Sequence, residues 1–170
     1  MRYNMSKIEL RQAKLGDEEI LAYIQTDSWK AAFRGILSDD ELIKCTNIEK
    51  VREMCKKSLS LYPDSFVIEF VEDKPHCIAG WNKNRYGLGE NVAELICIHG
   101  LCDNWHKGYG SIMLNYILDK IKQAGYSEVI LWVFEKNLNA RRFYEKHGFM
   151  LTEESKLIKG VVELMYSKKI

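Results

Sequence analysis

His106, Lys107, Gly108, Tyr109, Gly110 and Ser111 form a short run between an apolar stretch, "AELICIHGL", and a segment with helical spacing, "IMLNYILDKIKQAG". Glycines at 108 and 110 remove side chains where backbone must approach something closely, and the unpaired N–H groups of a helix start point at the same place. Such a junction prefers an anion. It is neither a Walker A loop, because G-x-x-x-x-G-K-[ST] is absent, nor the dinucleotide fingerprint G-x-G-x-x-G. A tight turn with no ligand would carry the same two glycines.

The junction has to be held by a strand and a helix. "KIELRQA" alternates like a short strand, and "GDEEILAYIQTDSWKAAF" then takes helical spacing through Ile20, Leu21, Ile24 and Trp29, with Asp17 as N-cap. Ser38 and Glu41 have the reciprocal spacing of a capping box, and a further helix is expected from Ile48 to about Leu59. Pro63 and Asp64 mark a turn. "SFVIEFV", "CIAGW" and "AELICIHGL" read as three strands whose short connections favour an antiparallel meander. Ile112, Met113, Tyr116, Ile117, Ile121 and Ala124 repeat at helical spacing, with Gly125 suited to the C′ position. "EVILWVF" is a buried strand. Strand, helix and strand in that order imply a right-handed parallel crossover, with the glycine loop at the carboxyl end of a sheet strand. "NARRFYEKHG" is a short helix stopped by Gly148, and "GVVELMYSK" is the last strand. The class is α+β with a mixed sheet.

Composition narrows the partners. The 170 residues are 46% hydrophobic, enough for one core, and no linker, repeat or low-complexity tract divides them, so a single domain over 1–170 is expected. The 25 basic and 24 acidic residues are mixed along the chain, which shows neither a nucleic-acid footprint nor a polybasic membrane anchor. Five cysteines, odd in number and without a C-x-x-C pair, argue against a disulfide framework and against a zinc site. "MRYNMSKIEL" lacks the apolar core of a signal peptide and no stretch is long and apolar enough to span a bilayer, so a reduced, cytoplasmic setting is expected. A homodimer stays open.

Glu94 to Gly110, "ELICIHGLCDNWHKGYG", resembles the acetyl-CoA segment of the GNAT superfamily of N-acetyltransferases, whose loop reads roughly Q/R-x-x-G-x-G/A after a strand. "LWVFEKNLNARRFYEKHGF" resembles that family's second signature, with Asn137, Ala140, Phe143, Tyr144, Gly148 and Phe149 in register. "DSWKAAFRGIL" is similar to the helix pair that walls the acceptor site in bacterial members. Trp105 stands where the family usually has Gln or Arg, and His106 where glycine is frequent. Gly100 and Cys102 replace a common β-branched residue and a proline.

The resemblance implies two parallel strands that splay and take the pantetheine arm of acetyl-CoA between them. The pyrophosphate would lie on His106 to Ser111, with Lys107 adding charge near a phosphate. Ile98, His99 and Gly100 would offer backbone groups to the arm and the thioester carbonyl, and Asn137 would contact the arm. Acetyl transfer to a primary amine of a small molecule or peptide, by direct attack in a ternary complex, is then expected, with no metal. Glu94 is the candidate base and His99 its competitor, while Tyr144 matches the family tyrosine that protonates the departing thiolate. Trp29, Phe33 and Arg34 would border the acceptor pocket. The alternative is a non-catalytic acyl-CoA sensor or interaction module on the same fold.

Overall fold

The computed structural model describes residues 7–170; the first six residues of the stretch tested for a signal peptide lie outside the described residues. One seven-stranded sheet collects β1 (Ile8–Gln12), β2 (Phe66–Val71), β3 (Lys74–Lys83), β4 (Val92–Gly100), β5 (Glu128–Phe134), β6 (Met150–Ile158) and β7 (Val161–Lys169). Their order is β1-β2-β3-β4-β5-β7-β6. β2, β3 and β4 form the expected antiparallel meander, β1 adds to the β2 edge antiparallel, and β4–β5 is parallel. The helices are α1 (Glu18–Ala32), α2 (Asp39–Cys45), α3 (Ile48–Leu61), α4 (Tyr109–Gln123) and α5 (Leu138–Lys146). The sheet is mixed and helices cover both faces, as the α+β reading expects.

Alternation along the strands sends side chains to two cores. Val67, Cys77, Ala79, Ala93, Leu95, Val129 and Leu131 pack under Met113, Leu114, Ile117 and Ile121 of α4. Ile68 and Ile78 pack with Leu21 and Ile24 of α1 and with Val51, Cys55 and Leu59 of α3. The crossover β4–α4–β5 is thus clamped from one side and the amino-terminal helices lie on the other.

Two start signals behave differently from expectation. Asp17 is the N-cap residue of α1 as expected, but its side chain makes no cap hydrogen bond: its carboxylate takes both guanidinium arms of Arg11, at 2.7 and 2.8 Å, and the Lys14 N–H at 2.9 Å. Ser38 accepts from the Glu41 N–H at 3.3 Å, yet Glu41 does not complete a capping box, because its carboxylate pairs with Lys44 and Lys159. In each case a nearby cation outcompetes the neutral backbone donor. β6 is the element that the sequence reading missed. It is an edge strand, exposed along most of its length, so no buried alternation marks it.

Glu69 on β2 is fully buried and neither carboxylate oxygen has a hydrogen-bond partner. It sits opposite Leu10 and Cys77, and burial pushes its carboxyl up to about 7 from 4.5. A raised carboxyl means the folded chain binds more protons than the unfolded one between those values, so stability falls as pH rises through that window and the penalty is complete above it. Glu69→Gln is therefore expected to stabilise the protein above pH 7 by on the order of 3 kcal/mol, or roughly 5–10 °C in melting temperature. The difference closes below about pH 4.5, where both states are protonated. Calorimetry at acid and alkaline pH checks this, and a pH-independent difference would place the effect in packing.

Candidate active site

β4 and β5 pair only at Val92–Glu128, Ala93–Val129 and Glu94–Ile130. Beyond Glu94 the strands part. On the other edge of β4 the register slips: Trp81 faces Leu95 while Gly80 faces Cys97, which leaves Ile96 as an extra residue. A β-bulge bends its strand and interrupts the ladder, and here the bulge stands where the parallel pairing stops. The expected splay is thereby given a local cause. A cleft of about 1400 Å³ opens along it, walled by β4 from Leu95 to Gly100, the start of α4, and the first turns of α5.

The glycine loop feeds this cleft. Gly108 is the N-cap of α4 at φ +92°, a left-handed conformation that glycine adopts without a steric penalty. No side chain caps the helix, whereas Ser38, Asn47 and Asn137 cap α2, α3 and α5. A side chain at Gly108 would meet open space and one at Gly110 would touch only the Phe143 ring, at 3.5 Å. Backbone conformation accounts for the glycine at 108, whereas neither conformation nor packing accounts for the one at 110. Uncapped N–H groups and a helix dipole facing an open cleft fit a pyrophosphate. His106, Gly108, Tyr109, Gly110 and Ser111 all line the cleft. Lys107 does not: its ammonium is drawn to Asn104 Oδ1 at 2.7 Å. The cations on that wall are Arg142 and Lys146, four apart on α5, which the sequence reading did not single out. Their spacing on one helix face was the available signal.

Trp105, at the position of the family's Gln or Arg, donates its indole N–H to the Gly100 carbonyl at 2.8 Å. It ties the loop to the end of β4. His76 stands behind the loop, 3% exposed, with Asn104 Nδ2 at 3.4 Å from its Nδ1 and its ring edge-on to Tyr109. Burial, with Lys107 as the lesser cause, lowers its pKa, so it serves as a neutral prop.

Ile98, His99 and Gly100 line the cleft as expected. His99 Nε2 accepts the Trp29 indole N–H at 3.1 Å, and burial holds its pKa down to about 4. Its lone pair is engaged and weakly basic. Glu94 is 2% exposed and both oxygens are taken by Arg85, Nη2 to Oε1 at 2.7 Å and Nε to Oε2 at 2.9 Å. Arg85 lines the cleft and Glu94 does not. Cys97 also lines the cleft beside the bulge, but burial pushes its thiol up to about 12, which leaves no thiolate for nucleophilic attack at neutral pH.

Across the cleft, α5 presents Asn137, Ala140 and Tyr144. Asn137 caps the helix, its Oδ1 accepting from the Ala140 N–H at 3.2 Å, so the carboxamide N–H₂ is the group left for a ligand. Tyr144 is 8% exposed and packs on Phe143 and Phe149. Burial, with smaller contributions from Cys97 and Cys77, raises it well above the usual phenol range, so its hydroxyl is a donor at any physiological pH. His147 accepts or donates to Ser111 Oγ at 3.0 Å and contacts the Phe143 carbonyl at 2.7 Å, joining α5 to α4.

At the other end Trp29 and Phe33 line the cleft, edge-on to each other at 5.0 Å, and Phe33 stacks edge-on to Phe134. Arg34 is not brought to this cleft. α1 ends at Ala32, Phe33 turns inward to Phe134, and the next residue falls on the exposed outer side, beside Asp27 and Lys30. Asp39, Asp40 and Glu41 also stay away from the cleft walls. Trp132 and Glu163 also line the cleft, and neither was a sequence candidate. Among the described residues, no cluster of three or more His, Cys, Asp or Glu could hold a metal, and no helix is long and apolar enough to cross a membrane.

Fold and site together define an acyltransferase. The sequence matches the acetyltransferase (GNAT) family over residues 20–149, and the chain belongs to that family. It is 25% identical over 158 residues to a spermidine N(1)-acetyltransferase of Thermoplasma acidophilum, covering 86% of this chain and 90% of the relative. Among solved structures, the fold is similar to that of the PaiA N-acetyltransferase of Thermoplasma acidophilum in complex with coenzyme A, with TM-score 0.77 and 23% identity over 96% and 99% of the two chains. It is also similar to YncA of Salmonella typhimurium with acetyl-CoA, with TM-score 0.71 and 15% identity over 95% and 93%.

Proposed function

We propose that this protein transfers the acetyl group of acetyl-CoA directly to a primary amine of a small molecule or peptide. The observation that carries this is the coincidence, in one cleft, of the uncapped α4 start, the bulge that splits β4 from β5, and a buried phenol opposite the bulge. Acetyl-CoA supplies an activated acyl group on a good leaving thiol. Around it, His106, Gly108, Tyr109, Gly110 and Ser111 bind the pyrophosphate, Arg142 and Lys146 add charge at that end, and Asn137 orients the arm. Backbone N–H groups of β4, from the bulge to Gly100, stabilise negative charge developing on the thioester oxygen, often the largest single catalytic contribution. Tyr144 donates to the departing sulfur.

An amine with pKa near 10.4 must shed a proton before attack. The engagement of Glu94 by Arg85 and of His99 by Trp29 supports a route in which cleft water takes that proton. Glu94 then acts as a positioning residue, through Arg85. Glu94→Gln is expected to lower kcat/KM by less than the roughly 100-fold of a lost general base, and to leave the acidic limb of the pH profile where it was. A limb displaced to higher pH in the variant would restore Glu94 as the base itself.

The function is tested by following release of the coenzyme A thiol over a panel of amines. Amine-dependent release is expected. A protein that is stabilised by acetyl-CoA yet releases no thiol with any amine would be the acyl-CoA sensor instead.

A further inference from the structure

Beside the cleft, and reaching it through Trp132 and Glu163, lies a constellation that transfer chemistry does not use. Trp132 on β5, Tyr86 in the β3–β4 connection and Glu163 on β7 surround the ammonium of Lys156. Its Nζ lies 4.0 Å from the Trp132 ring centroid and 5.0 Å from that of Tyr86. It donates to the Tyr86 hydroxyl at 2.7 Å and stands 3.3 Å from Glu163 Oε2. Strand pairing dictates the arrangement. Lys156 is opposite Glu163, Glu163 is opposite Phe134, and Trp132 shares the face of Phe134 two residues along β5. The Trp132 and Tyr86 rings are 5.3 Å apart and leave the ammonium between two π faces and a carboxylate. That is the chemistry by which proteins recognise amines. Trp132 and Glu163 also line the cleft, as does Arg85, whose guanidinium sits 6.0 Å from the Tyr86 ring.

Lys156 is partly open to solvent. Its side chain is 28% exposed on the edge strand, and partly exposed cation–π contacts and ion pairs are individually weak. Its withdrawal leaves Glu163, 16% exposed, without its cross-strand cation. A second cation restores the balance, while a neutral or anionic ligand does not. Arg85 cannot take that place, because Glu94 holds it by two hydrogen bonds.

We infer that Trp132, Tyr86 and Glu163 form a cage for a second ammonium group of a di- or polyammonium acceptor, with Lys156 as an internal placeholder that the acceptor displaces. This rests on the amine-acceptor reading above and specifies which amines are preferred. Calorimetric titration of the coenzyme A-loaded protein with putrescine, spermidine and n-butylamine tests it, since butylamine lacks the second ammonium of putrescine. The two polyammonium ligands bind more tightly than butylamine. Glu163→Gln weakens them about tenfold more than it weakens butylamine, the scale of one lost charge-assisted contact. Tyr86→Leu, at an exposed loop position, acts in the same direction. Lys156→Met keeps the stem, removes the competing charge and tightens putrescine and spermidine severalfold. Equal affinity for putrescine and butylamine, or a Lys156→Met protein that binds the polyammonium ligands no better than the parent, overturns the cage. Retention of coenzyme A-dependent thermal stabilisation verifies that each variant is folded. Titration reads binding without turnover. A failed cage therefore shows as lost discrimination with transfer intact, and failed transferase chemistry as discrimination without acetylated product.

Discussion

Tyr144→Phe lowers kcat by about 100-fold or more, within the span of general-acid effects, while acetyl-CoA affinity stays within about twofold. The phenylalanine ring keeps the contacts with Phe143 and Phe149 that hold α5 against the core. What disappears is a hydroxyl that burial keeps protonated. A phenol this reluctant to ionise is no base. In the proposed mechanism it directs a hydrogen toward a sulfur that gains negative charge as the acyl bond breaks, and such a contact strengthens only as the transition state is approached. Single-turnover kinetics isolates the chemical step. An unchanged chemical rate in the variant would make Tyr144 a packing residue.

Gly110→Glu abolishes stabilisation by acetyl-CoA. Wild-type protein at about 100 times the dissociation constant gains roughly 2.7 kcal/mol, or about 5–10 °C in melting temperature. In the variant the new side chain enters beside the Phe143 ring at ordinary contact distance, so the fold tolerates it. Its carboxylate then stands at the uncapped start of α4, where it satisfies the helix dipole and repels phosphate. Gly110→Ala adds the same Cβ without charge and retains most of the shift. A Gly110→Glu protein that still responds fully to acetyl-CoA would move the phosphate site away from this helix.

The segments that carried most of the architecture were those with local punctuation. Gly125 and Gly148, after α4 and α5, adopt left-handed φ of +94° and +81°, so chain chemistry alone marks both helix ends. The β4–α4–β5 crossover follows from the strand–helix–strand order. The bulge at Ile96 was illegible, because within "AELICIHGL" an inserted residue leaves no trace in a continuous apolar run. The engagement of Glu94, the candidate base, by Arg85 was equally illegible. Arg85 is nine positions away across a loop, and only the register of β3 and β4 brings the pair together. Trp132, Glu163 and Lys156 were hidden for a related reason: their juxtaposition spans three strands, one of them the exposed β6. Trp105, which looked like the loss of a polar cofactor ligand, instead secures the loop through the Gly100 carbonyl.

Acyl transfer itself is tested most directly by mixing the protein with radiolabelled acetyl-CoA under single-turnover conditions, with and without a primary amine. Without acceptor, no label joins the protein, since the thiol beside the bulge is held protonated. With acceptor, label appears on the amine as coenzyme A is freed in equal amount. Labelled protein that later passes its acetyl group to the amine would contradict direct attack. Bound acetyl-CoA that never labels any monoamine, polyamine or peptide amino terminus would contradict the transferase assignment altogether.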